Sequence, residues 1–178
     1  LNTTFDFSQE QGLLRAAELC SGSGDCRKTQ LSGGTMCPSY MATREEKDTT
    51  RARANLLRQI LVQPADANQP LNDPDLLDAM DLCLSCKGCK NECPSNVDMA
   101  KLKAEFLQQY YDANGVPRRT RTIAGFARSM AWAAKTPRLS NWLLSTQWTS
   151  NLIKRFNGFA AQRTLPKLHA TTLRAWFR

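Results

Sequence analysis

The sequence has no apolar run approaching the ~20 residues of a membrane span, which leaves no spanning helix to be expected. Its first ten residues carry Asp6 and Glu10 and no apolar stretch, so no secretory pattern is expected there. It begins at Leu1 without a Met, the start expected of a piece of a longer or processed polypeptide. Histidine occurs once, at His169. A Ser-His-Asp or Cys-His arrangement then has one candidate base and no evident partner, which argues against hydrolysis. No segment alternates apolar and polar residues as a half-buried strand would. Acidic residues are missing from Ala113 to Arg178, where 12 basic residues and all four tryptophans (Trp132, Trp142, Trp148, Trp176) lie. The first 112 residues hold 12 basic and 16 acidic residues. A cysteine-bearing segment, 1–112, is thus followed by a basic, tryptophan-bearing extension, 113–178.

What is present is helical patterning. Apolar residues at Leu13, Leu14, Ala17 and Leu19 predict a helix over 8–19 that delivers Cys20. A second is predicted over 43–62, capped by Thr43, with Glu45 and Glu46 in a first turn where the helix dipole favours negative charge. On that reading Glu45, Glu46 and Asp48 belong to a helix start and not to an acid/base pair. After a loop rich in Pro, Asn and Asp, Asp73 caps a helix with Pro74 at its first position. Asp98 caps another that Gly115 and Pro117 end. Further helices are expected over roughly 119–135 and 138–157, interrupted by Thr136-Pro137-Arg138 and Asn157-Gly158. The fold class expected is mainly α.

Seven cysteines is an odd number, and four of them crowd into eleven residues, which suits thiolate ligands in a reducing compartment better than a disulfide framework. Cys83-x2-Cys86-x2-Cys89-x3-Cys93-Pro94 has the spacing of the bacterial ferredoxin run, whose fourth cysteine serves a different cluster from the first three. Zinc is the alternative, but structural zinc usually takes cysteine pairs from two separate turns. The ligand missing from the first cluster is supplied by Cys37, which shares the Cys-Pro signature. The expected set is Cys83, Cys86, Cys89 and Cys37 around a 4Fe-4S cluster.

A second cluster would need Cys93 and three ligands upstream. Cys20-Ser21-Gly22-Ser23-Gly24-Asp25-Cys26 reads C-x-x-S-x-x-C, with Ser23 where the complete motif has a cysteine and Gly24 taken to match Gly88. Cys20, Cys26 and Cys93 could hold a 3Fe-4S cluster, or a 4Fe-4S cluster with a labile iron bound by Ser23, water or another group. Serine is the harder, more basic ligand. The remaining option is an empty site with three plain thiols. The Gly-Ser-Gly-Asp stretch follows a helix, not a strand, so it is a poor phosphate loop. Arg27, Lys28, Lys87 and Lys90 lie beside these ligands, either stabilising a reduced cluster or as solvated surface charge.

The stretches FDFSQEQGLLRAAELCSGSGDCRK, GGTMCPSYMATREEKDTTRARANLLRQIL and CLSCKGCKNECPSNVDMAKLKAEFLQQYY resemble the iron–sulfur region of large bacterial FAD-linked dehydrogenases of the D-2-hydroxyglutarate and D-lactate kind. The likeness covers about residues 5–111; the later TLPKLHATTLRAWF is similar to that family's connector. It implies a helical ferredoxin-like fold. It implies an electron-transfer module that drains a flavin, FAD being held in a domain absent from this chain. The clusters would pass electrons to an external quinone or electron-transfer protein. No catalytic residue is expected here. The compartment implied is the cytoplasm, with peripheral attachment to the inner membrane face as a variant. For the basic extension, packing on an acidic face of the flavin domain is preferred over an anionic membrane surface, and nucleic acid is not favoured. The rival reading is a zinc- or cluster-stabilised interaction module whose tail binds membrane or nucleic acid.

Overall fold

The computed structural model describes residues 1–177, with no strand among them. The chain divides after Gly115 into two compact units. The first holds α1 (Leu13–Glu18), α2 (Pro38–Thr43), α3 (Thr50–Val62), α4 (Pro74–Asp81), α5 (Gly88–Glu92) and α6 (Met99–Asn114). Short 3-10 turns at Asp25–Arg27, Gln30–Ser32 and Glu46–Asp48 join the early helices. Helix α3 is the hub, packing on α1, α4 and α6. The core between them is Phe7, Leu13, Ala17, Ala54, Leu57, Leu71, Leu76, Met80, Val97, Leu102 and Phe106. Asp73 and Asp98 cap α4 and α6 as expected, each accepting an N–H from three residues on.

Two helices differ from the sequence expectation. Helix α1 starts at Leu13, not Ser8, because Gln11 (φ 61°) and Gly12 (φ 118°) take left-handed backbone that an α-helix cannot contain. The long helix does not begin at Thr43. Thr43 ends α2, Arg44 is left-handed (φ 63°), and the helix starts at Thr50 behind the cap Thr49, whose hydroxyl accepts the Ala52 N–H. Glu45 and Glu46 therefore lie outside the helix. Asp48 turns inward instead, where its carboxylate meets Arg53 at 3.2 Å with both side chains almost wholly buried.

The first unit contains an internal repeat. Positions 13–26 recur 63 residues later as 76–89. Leu13, Ala16 and Ala17 are buried on α1, and Leu76, Ala79 and Met80 on α4. Each helix then runs into a cysteine loop with left-handed backbone at matching places: Gly22 and Gly24 in the first, Ser85 and Lys87 in the second. Gly24 thus corresponds to Lys87 and not, as the sequence suggested, to Gly88. Gly88 has a separate requirement, since a Cβ there would stand 3.0 Å from the Thr35 carbonyl oxygen.

The second unit, from Val116 onward, holds α7 (Arg118–Ala124), α8 (Phe126–Ala133), α9 (Pro137–Ser145), α10 (Gln147–Asn157) and α11 (Leu173–Trp176). Gly125 and Thr146 divide the two helical stretches expected, and Thr136-Pro137 and Gly158 interrupt them as anticipated. Helix α10 is turned against the usual rule. It buries Ser150 and Lys154, the lysine donating a hydrogen bond to the Ala161 carbonyl at 2.9 Å, and exposes Trp148, Leu152 and Phe156 four residues apart. Polar clamps hold the unit: Asn141 both donates to and accepts from Leu168 at 2.8 Å.

The buried pair in the first unit gives a direct test. Removing one partner of a buried ion pair leaves an uncompensated charge and costs about 3–5 kcal/mol. Asp48→Ala is expected to lower unfolding stability by about that amount in denaturant titration, whereas Asp75→Ala, on the exposed side of α4, is expected to change it by no more than about 0.5 kcal/mol.

Candidate metal centre

Cys37, Cys83, Cys86 and Cys89 line one cleft, together with Pro38, Ser39, Thr50, Arg53 and Lys87. The cleft encloses about 330 Å³, counting the solvent at its mouth. These are the four residues the spacing argument grouped. Among the described residues, no three Cys, His, Asp or Glu side chains crowd together as ligands of a single ion would. A zinc tetrahedron with bonds of about 2.3 Å draws its thiolates to within about 4 Å of one another. An iron–sulfur cube is larger, and each thiolate binds a different iron.

Several local features aim this cleft at a negatively charged group. Ser85 (φ 53°) and Lys87 (φ 61°) are left-handed around Cys86, and backbone of this kind can turn consecutive N–H groups to one side. The Met99 and Lys90 N–H groups pull against the burial that raises the Cys89 thiol. Cys37 is left-handed too, at φ 54°, directly before Pro38, a position that proline normally forces into extended backbone. Cys93 before Pro94 obeys that rule (φ −75°, ψ 126°), so the two Cys-Pro pairs are alike in sequence and unlike in conformation. Cys37 is held by Thr50, whose N–H donates to its sulfur at 3.1 Å and whose hydroxyl lies 2.8 Å away. Burial pushes the Cys37 thiol up to about 11, against the pull of these bonds. Burial also raises Cys89 and Cys26. In the metal-free chain these thiols keep their protons, and loading a metal must release them.

The other predicted ligands lie nearby. Cys26 and Cys93 are buried, Cys20 is half-buried, and Ser23 is exposed. The exposure sequence is the same in both loops: half-buried, exposed, buried at Cys20, Ser23, Cys26 and at Cys83, Cys86, Cys89. Ser23 thus matches Cys86 in exposure and in its place along the loop. Burial raises the affinity of Cys26 for its proton, and nearby Cys20 adds to that. The first loop is tied to the turn after Cys93 by a hydrogen bond of 2.8 Å between the Ser21 and Ser95 hydroxyls.

Of the four flanking cations, Lys87 and Lys90 are exposed and share Asp98 Oδ2 at 3.6 and 3.1 Å. Arg27 pairs with Glu46 at 3.3 Å. Much of their charge is matched by carboxylates. Lys28 lies near enough to Glu92 to favour its ionised form. His169 is exposed in the second unit.

Sequence reasoning missed four residues that build the site. Arg53 lines the cleft and donates to the Ala79 and Asp48 carbonyls and to Ser39. Its signal was an arginine on the apolar stripe of Leu57 and Ile60. Lys103 donates to the Met80 and Cys83 carbonyls at 2.7 Å, fixing the exit of α4, and its burial lowers its pKa. Glu92 accepts the Thr35 and Met36 N–H groups at 2.6 and 3.2 Å and anchors the segment entering Cys37. Thr50 follows a capping threonine and carried no distinguishing signal.

Comparison with known proteins agrees with this geometry. Residues 19–98 match the family described as 4Fe-4S dicluster domain, the iron–sulfur reading of the cysteines and not the zinc one. The chain is similar to D-2-hydroxyglutarate dehydrogenases: 28% identical to that of Pantoea ananatis over 90% of this chain and 18% of the relative. For Pseudomonas putida the figures are 27%, 75% and 16%, and for Escherichia coli 24%, 89% and 18%. The chain spans less than a fifth of the length of these curated relatives. No solved structure matches it significantly. Among the described residues, no helix is long and apolar enough to cross a membrane. Residues 19–98 thus carry the 4Fe-4S dicluster pattern, and the chain is homologous to a segment of the D-2-hydroxyglutarate dehydrogenases.

Proposed function

We propose that this chain is the electron-transfer segment of an FAD-linked D-2-hydroxy-acid dehydrogenase. The observation that carries the reading is the single cleft shared by Cys37, Cys83, Cys86 and Cys89. A 4Fe-4S cluster bound there supplies one-electron acceptance and release, which lets a two-electron flavin be drained in steps. The chain's own part is to hold and tune. The four thiolates bind, the Met99, Lys90 and Thr50 N–H groups offset negative charge on sulfur, and Arg53 places a fixed cation at the cleft wall. Such bonds, charge and burial set the potential of an iron–sulfur centre.

The flavin belongs to a domain of the same longer polypeptide, in keeping with the much greater length of the relatives. The final acceptor is an external quinone or electron-transfer protein. Cys20, Cys26 and Cys93 form a second site whose fourth place is Ser23. The matching exposure and backbone of the two loops support that reading. The basic second unit, with its outward Trp148, Leu152 and Phe156, docks on an acidic face of the flavin domain.

Two outcomes check this function. Anaerobically reconstituted protein should be brown, with a dithionite-reducible EPR signal and at least about four irons per chain, as a single cube requires. Ser23→Cys should raise iron toward about eight per chain and remove any three-iron signal, the thiolate being the softer ligand. Iron that stays near four in both proteins would make Cys20, Cys26 and Cys93 plain thiols. Separately, the flavin-free chain should not turn over D-2-hydroxyglutarate or D-lactate with a dye acceptor; measurable turnover would place substrate chemistry in this segment.

A further inference from the structure

The first turn of α3 faces both cysteine sets at once. Thr50 gives its N–H, at 3.1 Å, to Cys37 Sγ, and its hydroxyl stands 2.8 Å from the same sulfur. One residue on, the Arg51 N–H is the largest pull against the burial that raises the Cys26 thiol, while the Thr49 hydroxyl donates to the Glu46 carbonyl at 2.8 Å. Thr50 thus meets Cys37 with both an N–H and a hydroxyl, and the next residue turns its N–H to the side of Cys26. These N–H groups are free for the task, because the first turn of a helix has no carbonyl partners for them. All the groups are enclosed: Thr49, Thr50, Cys26 and Cys37 are buried, Thr49 fully and Thr50 to within 3%. In a buried setting a hydrogen bond to a charged sulfur is worth more than at the surface.

We propose that Thr50 and Arg51, at the start of α3, serve the two sites from one helix turn, and that Thr50 is a positioning residue whose hydroxyl sets the reduction potential of the site holding Cys37. The proposal rests on the reading that Cys37 and Cys26 serve separate clusters. A reduced centre carries one more negative charge than an oxidised one, and a donor to its thiolate sulfur stabilises the reduced form more. Removing the hydroxyl while keeping the N–H therefore makes that centre harder to reduce and leaves the Cys26 site unchanged. The hydroxyl also steadies Cys37 in its left-handed backbone, so the same bond fixes the ligand's place and its electronic character.

The test uses the full chain, reconstituted anaerobically, with Thr50→Val, Thr50→Ala and Thr50→Ser. Iron and sulfide are counted and midpoint potentials are read by EPR-monitored redox titration. Thr50→Val, close to isosteric, is expected to bind iron as the parent does and to shift the reduction equilibrium of one centre about tenfold toward the oxidised form. For a one-electron couple that is about 59 mV lower. Thr50→Ser should stay at the parent potential. Loss of iron from both Val and Ala variants, with retention in Ser, also supports the assignment of the hydroxyl to Cys37. A Val or Ala variant that holds its iron at the parent potential overturns the proposal while the proposed function stands. A parent chain that takes no iron at all overturns both.

Discussion

Arg53 is the constraint on which the first unit depends. Its guanidinium is sealed from water and must find partners for its donors inside the protein. It finds them on three separate pieces of chain: Ser39 at the start of α2, Asp48 before α3, and the Ala79 carbonyl near the end of α4. Ser39 lies two residues from Cys37, and Ala79 four from Cys83. Satisfying one buried cation therefore draws the two cysteine segments, far apart in sequence, to the same cleft. The Asp48 carboxylate keeps the arrangement neutral, which makes the burial tolerable.

The strained backbone around the thiols follows from this anchoring. Cys37, Ser85 and Lys87 all sit in left-handed conformations that residues with a Cβ avoid. Such conformations persist only where surrounding contacts over-determine them. Thr50 holds Cys37, and Lys103 and Arg53 hold the exit of α4 that leads into Ser85 and Lys87. In the first loop the equivalent places are Gly22 and Gly24, where the same backbone costs little. One loop is conformationally easy and lacks a cysteine; the other is strained and complete.

The second unit is organised by different physics. Among its described residues no apolar side chain is fully buried, so it has little core, and small units gain little from burial. Its helices are kept in place by paired polar contacts such as Asn141 with Leu168. The outward Trp148, Leu152 and Phe156 of α10, on a unit without acidic residues, are the face of an element that completes itself against something else.

Helix type and the main stops were readable in the sequence because caps, prolines and glycines act locally. Asp73-Pro74, Asp98, Gly115 and Gly158 do their work within a turn of their own position. The start of α3 was misplaced because Thr43 and Thr49 are equally good caps. The choice between them was made by Asp48 turning in to meet Arg53, a contact whose burial is set by the whole core. The sequence by itself determined which cysteines to group, Cys83, Cys86 and Cys89 by their spacing and Cys37 by its Cys-Pro pair, because both signals are local; the fold brings these four to one cleft. Only the tertiary structure decided that Thr50 holds Cys37 and that Arg53 lines the cleft. Hydrogen bonds to sulfur and the burial of a cation depend on where distant segments meet, and no local pattern of residues records that.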